Sequence, residues 1–120
     1  MAKRARQQGE LESLILNVLW SSKRAMTSQE ILEKANKKSD LALTTILTVL
    51  SRLEDKGFVS REPGEGRAFL FSAAQSREQH TADMMLQLVA NESNPGLAFS
   101  HFTDGLTTAQ LKALRKSLEG

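Results

Sequence analysis

Apolar residues recur along the opening segment with helical spacing. Leu11, Leu14, Ile15, Val18 and Leu19 fall at i, i+3, i+4, i+7 and i+8, which predicts an amphipathic helix over Gln8 to Trp20, with Trp20 in the core. Ser21 to Arg24 breaks the pattern as a loop. Thr27 followed by Glu30 is a capping box, and Ile31, Leu32 and Ala35 give the next helix its apolar face. That helix is short and ends in the polar run Asn36 to Asp40. A third helix is predicted from about Ala42 to Lys56, with Gly57 standing where a left-handed stop belongs.

The pattern then changes period. Phe58 to Arg61 alternates as a strand, Pro63-Gly64-Glu65-Gly66 is a turn cluster, and Ala68 to Phe71 is a second strand. Two strands joined this way make a β-hairpin. Ser76 with Gln79 opens another helix to about Asn91. Pro95-Gly96 punctuates, Leu97 to Thr103 is a short helix, and Thr107 with Gln110 opens the last one.

Three helices and a hairpin are the order of a winged helix-turn-helix, in which the second helix of the pair enters the major groove and the hairpin tip touches the backbone. The third helix fits that task. Ile46, Val49, Leu50 and Leu53 share one side at 100° per residue and must face the core. Thr44, Thr48, Ser51 and Asp55 share the other, with Arg52 beside them, and Thr44, Thr45, Thr48 and Arg52 are expected to read or position DNA. Short hydroxyl side chains let a helix backbone approach bases and phosphates, a Thr methyl packs on a thymine methyl, and Arg bonds guanine in a bidentate manner. Thr is a mediocre helix former, so its recurrence here asks for a reason. At the hairpin, Arg67 beside Gly66 and Arg61 on the first strand are candidate phosphate contacts, diluted by Glu62 and Glu65. Lys56 either meets a phosphate or complements the helix dipole. Lys3, Arg4 and Arg6 form a basic arm.

Composition narrows the picture. The chain has 120 residues, 40% of them hydrophobic and 25% charged, enough for one small domain and an appendage. Net charge is +2, but residues 1–72 hold 12 Lys/Arg against 9 Asp/Glu while residues 73–120 hold 4 against 5, so the basic excess lies in front. Cysteine is absent, which excludes disulfides and thiolate metal sites. The first residues are no signal peptide and no apolar run spans a bilayer, so a cytoplasmic protein with no membrane partner is expected. His80 and His101 are isolated and lack metal-ligand spacing. No catalytic pair stands out, and neither an enzyme nor a cofactor is expected.

The C-terminal helices carry more apolar surface than a winged helix of this size can bury. Met84, Met85, Leu88, Leu97, Phe99, Phe102, Leu111, Leu114 and Leu118 are therefore expected at an interface with a second copy, the alternative being that the C-terminal helices fold back on a core of their own.

With these residues in view, the chain resembles the penicillinase repressors, the BlaI/MecI/CopY family of bacterial repressors. Gly9-Glu10-Leu11-Glu12 and Val18-Leu19-Trp20 match the family's opening helix. Leu43 to Leu50 with Arg52-Leu53 and Lys56-Gly57 match its recognition helix, and Gly66-Arg67-Ala68-Phe69 matches its wing, with Phe71 where the family has Tyr. Gly96-Leu97 through His101-Phe102, then Leu106-Thr107 and Leu111 to Leu114, match its C-terminal pattern. The resemblance implies a homodimer on a dyad-symmetric operator with TACA/TGTA half-sites, blocking transcription. In the penicillinase branch, which controls β-lactam resistance genes, a membrane sensor triggers cleavage of an Asn–Phe bond. The closest match here is His101-Phe102, with His in place of Asn. In the copper branch a cysteine cluster senses metal, which the absence of Cys excludes.

The expected architecture is mainly α with a small β-hairpin: a winged-helix DNA-binding domain over 1–72 and a helical dimerisation domain over 73–120. The expected partners are double-stranded operator DNA and a second copy, with the sensor or protease left open. The rival is a winged-helix protein-interaction module that does not bind DNA.

Overall fold

Local caps set most of the helix starts in the computed structural model, which describes residues 8–120. The basic arm with Lys3, Arg4 and Arg6 lies outside the described residues. The chain runs α1 (Gln8–Ser21), α2 (Ser28–Ala35), α3 (Leu43–Asp55), β1 (Val59–Pro63), β2 (Phe69–Ala73), α4 (Arg77–Ala90), α5 (Pro95–Asp104) and α6 (Thr108–Glu119). Thr27 and Glu30 form a reciprocal capping box before α2, and Thr107 and Gln110 form another before α6. Ahead of α4, the Ser76 N–H donates to Gln79 Oε1 and the Gln79 N–H donates to Ser76 Oγ.

α3 ends as its sequence requires. Gly57 has φ +79°, a left-handed conformation that glycine adopts without a Cβ clash. The Phe58 N–H donates to Leu53 O at 2.9 Å and the Gly57 N–H to Glu54 O at 3.0 Å, a Schellman closure that turns the chain directly into β1. β1 and β2 pair antiparallel with Arg61 opposite Phe71 and Pro63 opposite Phe69. The turn between them is closed by Gly64 N–H to Ala68 O, and Gly66 (φ +62°) supplies its left-handed position.

One pairing was not expected. Met26, between the loop read at Ser21 to Arg24 and the Thr27 cap, exchanges both backbone hydrogen bonds with Phe71 at 2.9 and 2.7 Å. This bridge adds a short third strand position beside β2 and brings the entry of α2 onto the wing. A second difference concerns α5. Pro95-Gly96 reads as punctuation, yet Pro95 occupies the first turn of the helix and Asn94 caps it, its Oδ1 accepting from Leu97 N–H. A missing N–H costs nothing at that position.

The described residues up to His80 form one compact unit and Thr81–Gly120 a second. The core of the first unit gathers Ile15, Leu16 and Leu19 of α1, Ile31 and Ala35 of α2, Ile46, Val49, Leu50 and Leu53 of α3, and Met26, Val59 and Phe71 from the strand side. Residues 73–80, assigned from the sequence to the C-terminal segment, pack on this unit. Trp20 Nε1–H donates to Gln75 O at 3.0 Å, Arg77 donates to Asn17 Oδ1 and lies over the Trp20 ring, and His80 packs edge-on against Phe58. Trp20 itself is half-buried against the core rather than fully enclosed. In the second unit no residue of α5 or α6 is buried, nor is any of α4.

Candidate nucleic-acid interface

α3 separates its two faces cleanly. Ile46, Val49, Leu50 and Leu53 are buried, each worth about 1.5–3 kcal/mol over leaving it in water, so the helix is held by one side alone. Thr44, Thr48, Ser51, Arg52 and Asp55 are exposed, and Thr45 is half-buried at the edge. The Thr48 hydroxyl donates to Thr44 O at 2.9 Å. Its proton is therefore committed to the helix, leaving an acceptor lone pair and the methyl group for a ligand.

The start of α3 is open. Its N-cap is Ala42, whose side chain makes no cap hydrogen bond. The first N–H groups of a helix need outside partners and carry the positive end of its dipole. They lie at the same end of α3 as Thr44, so a phosphate oxygen would meet donors from backbone and side chain together.

The cations divide into held and unheld. Lys56 Nζ contacts both carboxylate oxygens of Glu12, at 2.5 and 2.9 Å, and so ties the end of α3 to α1. Arg61 Nε is 3.0 Å from Glu54 Oε2, and its guanidinium lies over the Phe69 ring at 4.4 Å. Both were candidate phosphate contacts, and both have a structural partner. Arg52 and Arg67 are exposed and have no acidic partner among the described residues. Of the four candidate cations Arg52, Lys56, Arg61 and Arg67, these two have their charge available, one on the helix and one at the wing turn. Sequence reasoning did not place Leu43 and Leu47, which are exposed on the same helix. The 100° reckoning that sorts the Thr residues would have put Leu47 outward.

In the second unit, Met84, Met85, Leu88, Leu97, Phe99, Phe102 and Leu118 are exposed, and Leu111 and Leu114 half-buried. Leu86, which the sequence reading passed over, is exposed as well. Met85, Leu88, Val89, Pro95, Phe99 and Phe102 line an apolar cleft of about 360 Å³. His101 and Phe102 sit inside α5, where the His101 carbonyl accepts from Gly105 N–H. Cutting the bond between them would require α5 to open locally first.

Among the described residues no group of three or more His, Cys, Asp or Glu could hold a metal, and no helix is long and apolar enough to cross a membrane.

Comparison with known proteins agrees with this layout. The family model of the penicillinase repressor matches residues 8–120. The transcriptional regulator BlaI of two Mycobacterium tuberculosis strains is 31% identical over 121 residues, covering 98% of this chain and 86% of the relative. A solved structure of the ferric uptake regulator from Pseudomonas aeruginosa with manganese superposes with a TM-score of 0.50 at 25% identity, covering 61% of this chain and 54% of that one. With one exposed recognition-type helix, a hairpin wing and a match along nearly its whole length, this chain belongs to the penicillinase repressor family, whose members are transcriptional repressors and not enzymes.

Proposed function

We propose that the protein represses transcription in the cytoplasm by binding a palindromic operator as a homodimer. Two copies of α3 enter successive major grooves about 34 Å apart. Thr44, Thr45 and Thr48 position the helix and contact base edges, Arg52 bonds a guanine, and Arg67 holds the wing to a phosphate. Arg61 and Lys56 act through their carboxylate partners, fixing the wing and the end of α3. The observation that carries this reading is the exposed hydroxyl-and-guanidinium face of a helix whose other face is fully engaged in the core.

The dimer is supported by the second unit's lack of buried residues. Helices with their apolar side chains in water need a covering surface, and a second copy offers a self-complementary one. Linking two weak half-site contacts raises the local concentration of each, and parting the copies releases the DNA. Control of a β-lactam resistance gene rests on family membership alone.

Selection of bound fragments from random-sequence DNA, followed by a salt titration, tests the proposal. The recovered sequences are expected to share an inverted repeat, and affinity is expected to fall steeply as salt rises. Failure to retain any DNA at low salt would overturn it in favour of a protein-interaction module.

A further inference from the structure

Leu47 is out of place on α3 if the helix serves only its own fold. Its side chain is 44% exposed, although the helix already buries four aliphatic residues. It belongs neither to the core cluster nor to the half-buried residues packed on it. Leu43, also exposed, stands one turn before it and Ser51 one turn after, while Thr44 and Thr48 flank it. Leu47 is thus continuous with the hydroxyl face, on the side away from Arg52.

We infer that Leu47 is a specificity-determining residue that packs on the 5-methyl group of a thymine in the major groove. The inference rests on the reading of α3 as the helix that enters that groove. The groove floor consists of hydrogen-bond donors and acceptors at every base pair, and the thymine methyl is its apolar feature. A leucine pressed on a polar base edge would strip water from it and return no hydrogen bond, which is unfavourable. Pressed on a methyl, it removes apolar surface from water on both sides. Thr48 strengthens the match, because its hydroxyl is turned to Thr44 O and its methyl is left to extend the same patch. The reading face is then divided, with an aliphatic edge at Leu43 and Leu47 and a cationic edge at Arg52.

The test uses the full-length chain and the duplex that it recovers from a random-sequence pool. Each thymine is replaced in turn by deoxyuridine, symmetrically in both half-sites, which removes only the methyl. At one position the replacement is expected to weaken binding about fourfold per half-site, the worth of one buried methyl-sized group. Leu47→Ala should bind the thymine duplex as weakly and lose most of the response to that replacement, the Thr48 methyl keeping the remainder, with a melting temperature close to wild type because the side chain lies outside the core cluster. Leu47→Gln should shift the preference at that position towards adenine, which Gln bonds in a bidentate manner. If wild type ignores uracil at every position, or Leu47→Ala keeps the full methyl preference, the assignment to Leu47 falls while the operator reading stands. If the pool yields no bound duplex, both fall.

Discussion

Lys56, the C-cap of α3, reaches back across the fold to Glu12 of α1, with its ammonium 2.5 Å from one carboxylate oxygen and 2.9 Å from the other. Glu12 is nearly buried and Lys56 is half in water, so the pair fixes the helix end more than it advertises a charge. Lys56→Met is expected to lower unfolding stability by about 1–2 kcal/mol, less than a fully enclosed pair would, because solvent reaches the lysine. The salt dependence of DNA binding should keep its slope. A slope shallower by about one per protomer would assign Lys56 to a phosphate instead.

Arg52 and Arg67 are expected to behave differently from each other. Arg52→Ala should cost about 1–3 kcal/mol on the preferred duplex and relax base choice at one position of each half-site. Arg67→Ala should weaken all duplexes alike and reduce the salt slope by about one per protomer. Binding curves on matched and mismatched duplexes at several salt concentrations separate the two roles.

Ala42 makes stability and DNA binding pull apart. A capping side chain at this position should stabilise α3 by about 1 kcal/mol. Ala42→Ser is expected to raise the melting temperature and leave DNA binding close to wild type. Ala42→Asp is expected to raise it as well, yet weaken DNA binding, because a carboxylate then occupies the place where a phosphate oxygen would sit. Equal DNA affinity for the two variants would show that no phosphate approaches this end of the helix.

The apolar cleft beside Phe99 gives a test of association. Leu88→Glu, on an exposed position of α4, is expected to leave the winged-helix unit folded and to yield a monomer by sedimentation equilibrium. Operator affinity should then fall towards that of a single half-site. A variant that stays dimeric would move the interface off this cleft.

Glu30 sets an acid limit. Its carboxyl is held below the usual value of 4.5, chiefly because it accepts the Thr27 backbone N–H and then because it meets the Arg24 guanidinium. The lowered folded-state value means that the ionised group contributes stability above the unfolded value. That contribution is lost as pH falls through the folded one. Glu30→Gln, which keeps an oxygen for the Thr27 N–H, should flatten the acid side of a melting-temperature profile taken from neutral pH down to about 3.

What could be read in the chain beforehand was what neighbours in sequence decide. The capping pairs Thr27/Glu30, Ser76/Gln79 and Thr107/Gln110, the stop at Gly57 and the two faces of α3 all follow from spacings of three or four residues. The pairing of Met26 with Phe71 did not, because a single bridge has no periodicity to announce it. Nor did the capture of Lys56 by Glu12 and of Arg61 by Glu54, which depends on how separate elements meet. Pro95 misled because a Pro-Gly pair marks a turn as readily as a helix start, and Asn94 decides between them.

Thr81–Gly120 contributes helices without an interior of their own. Joined as proposed, these helices would draw their order from the encounter between copies, so dilution alone would weaken them. The abundance of the protein would then govern its durability as well as its occupancy of DNA. A cell that let the level fall would lose the remaining copies faster, which sharpens the switch from silence to expression.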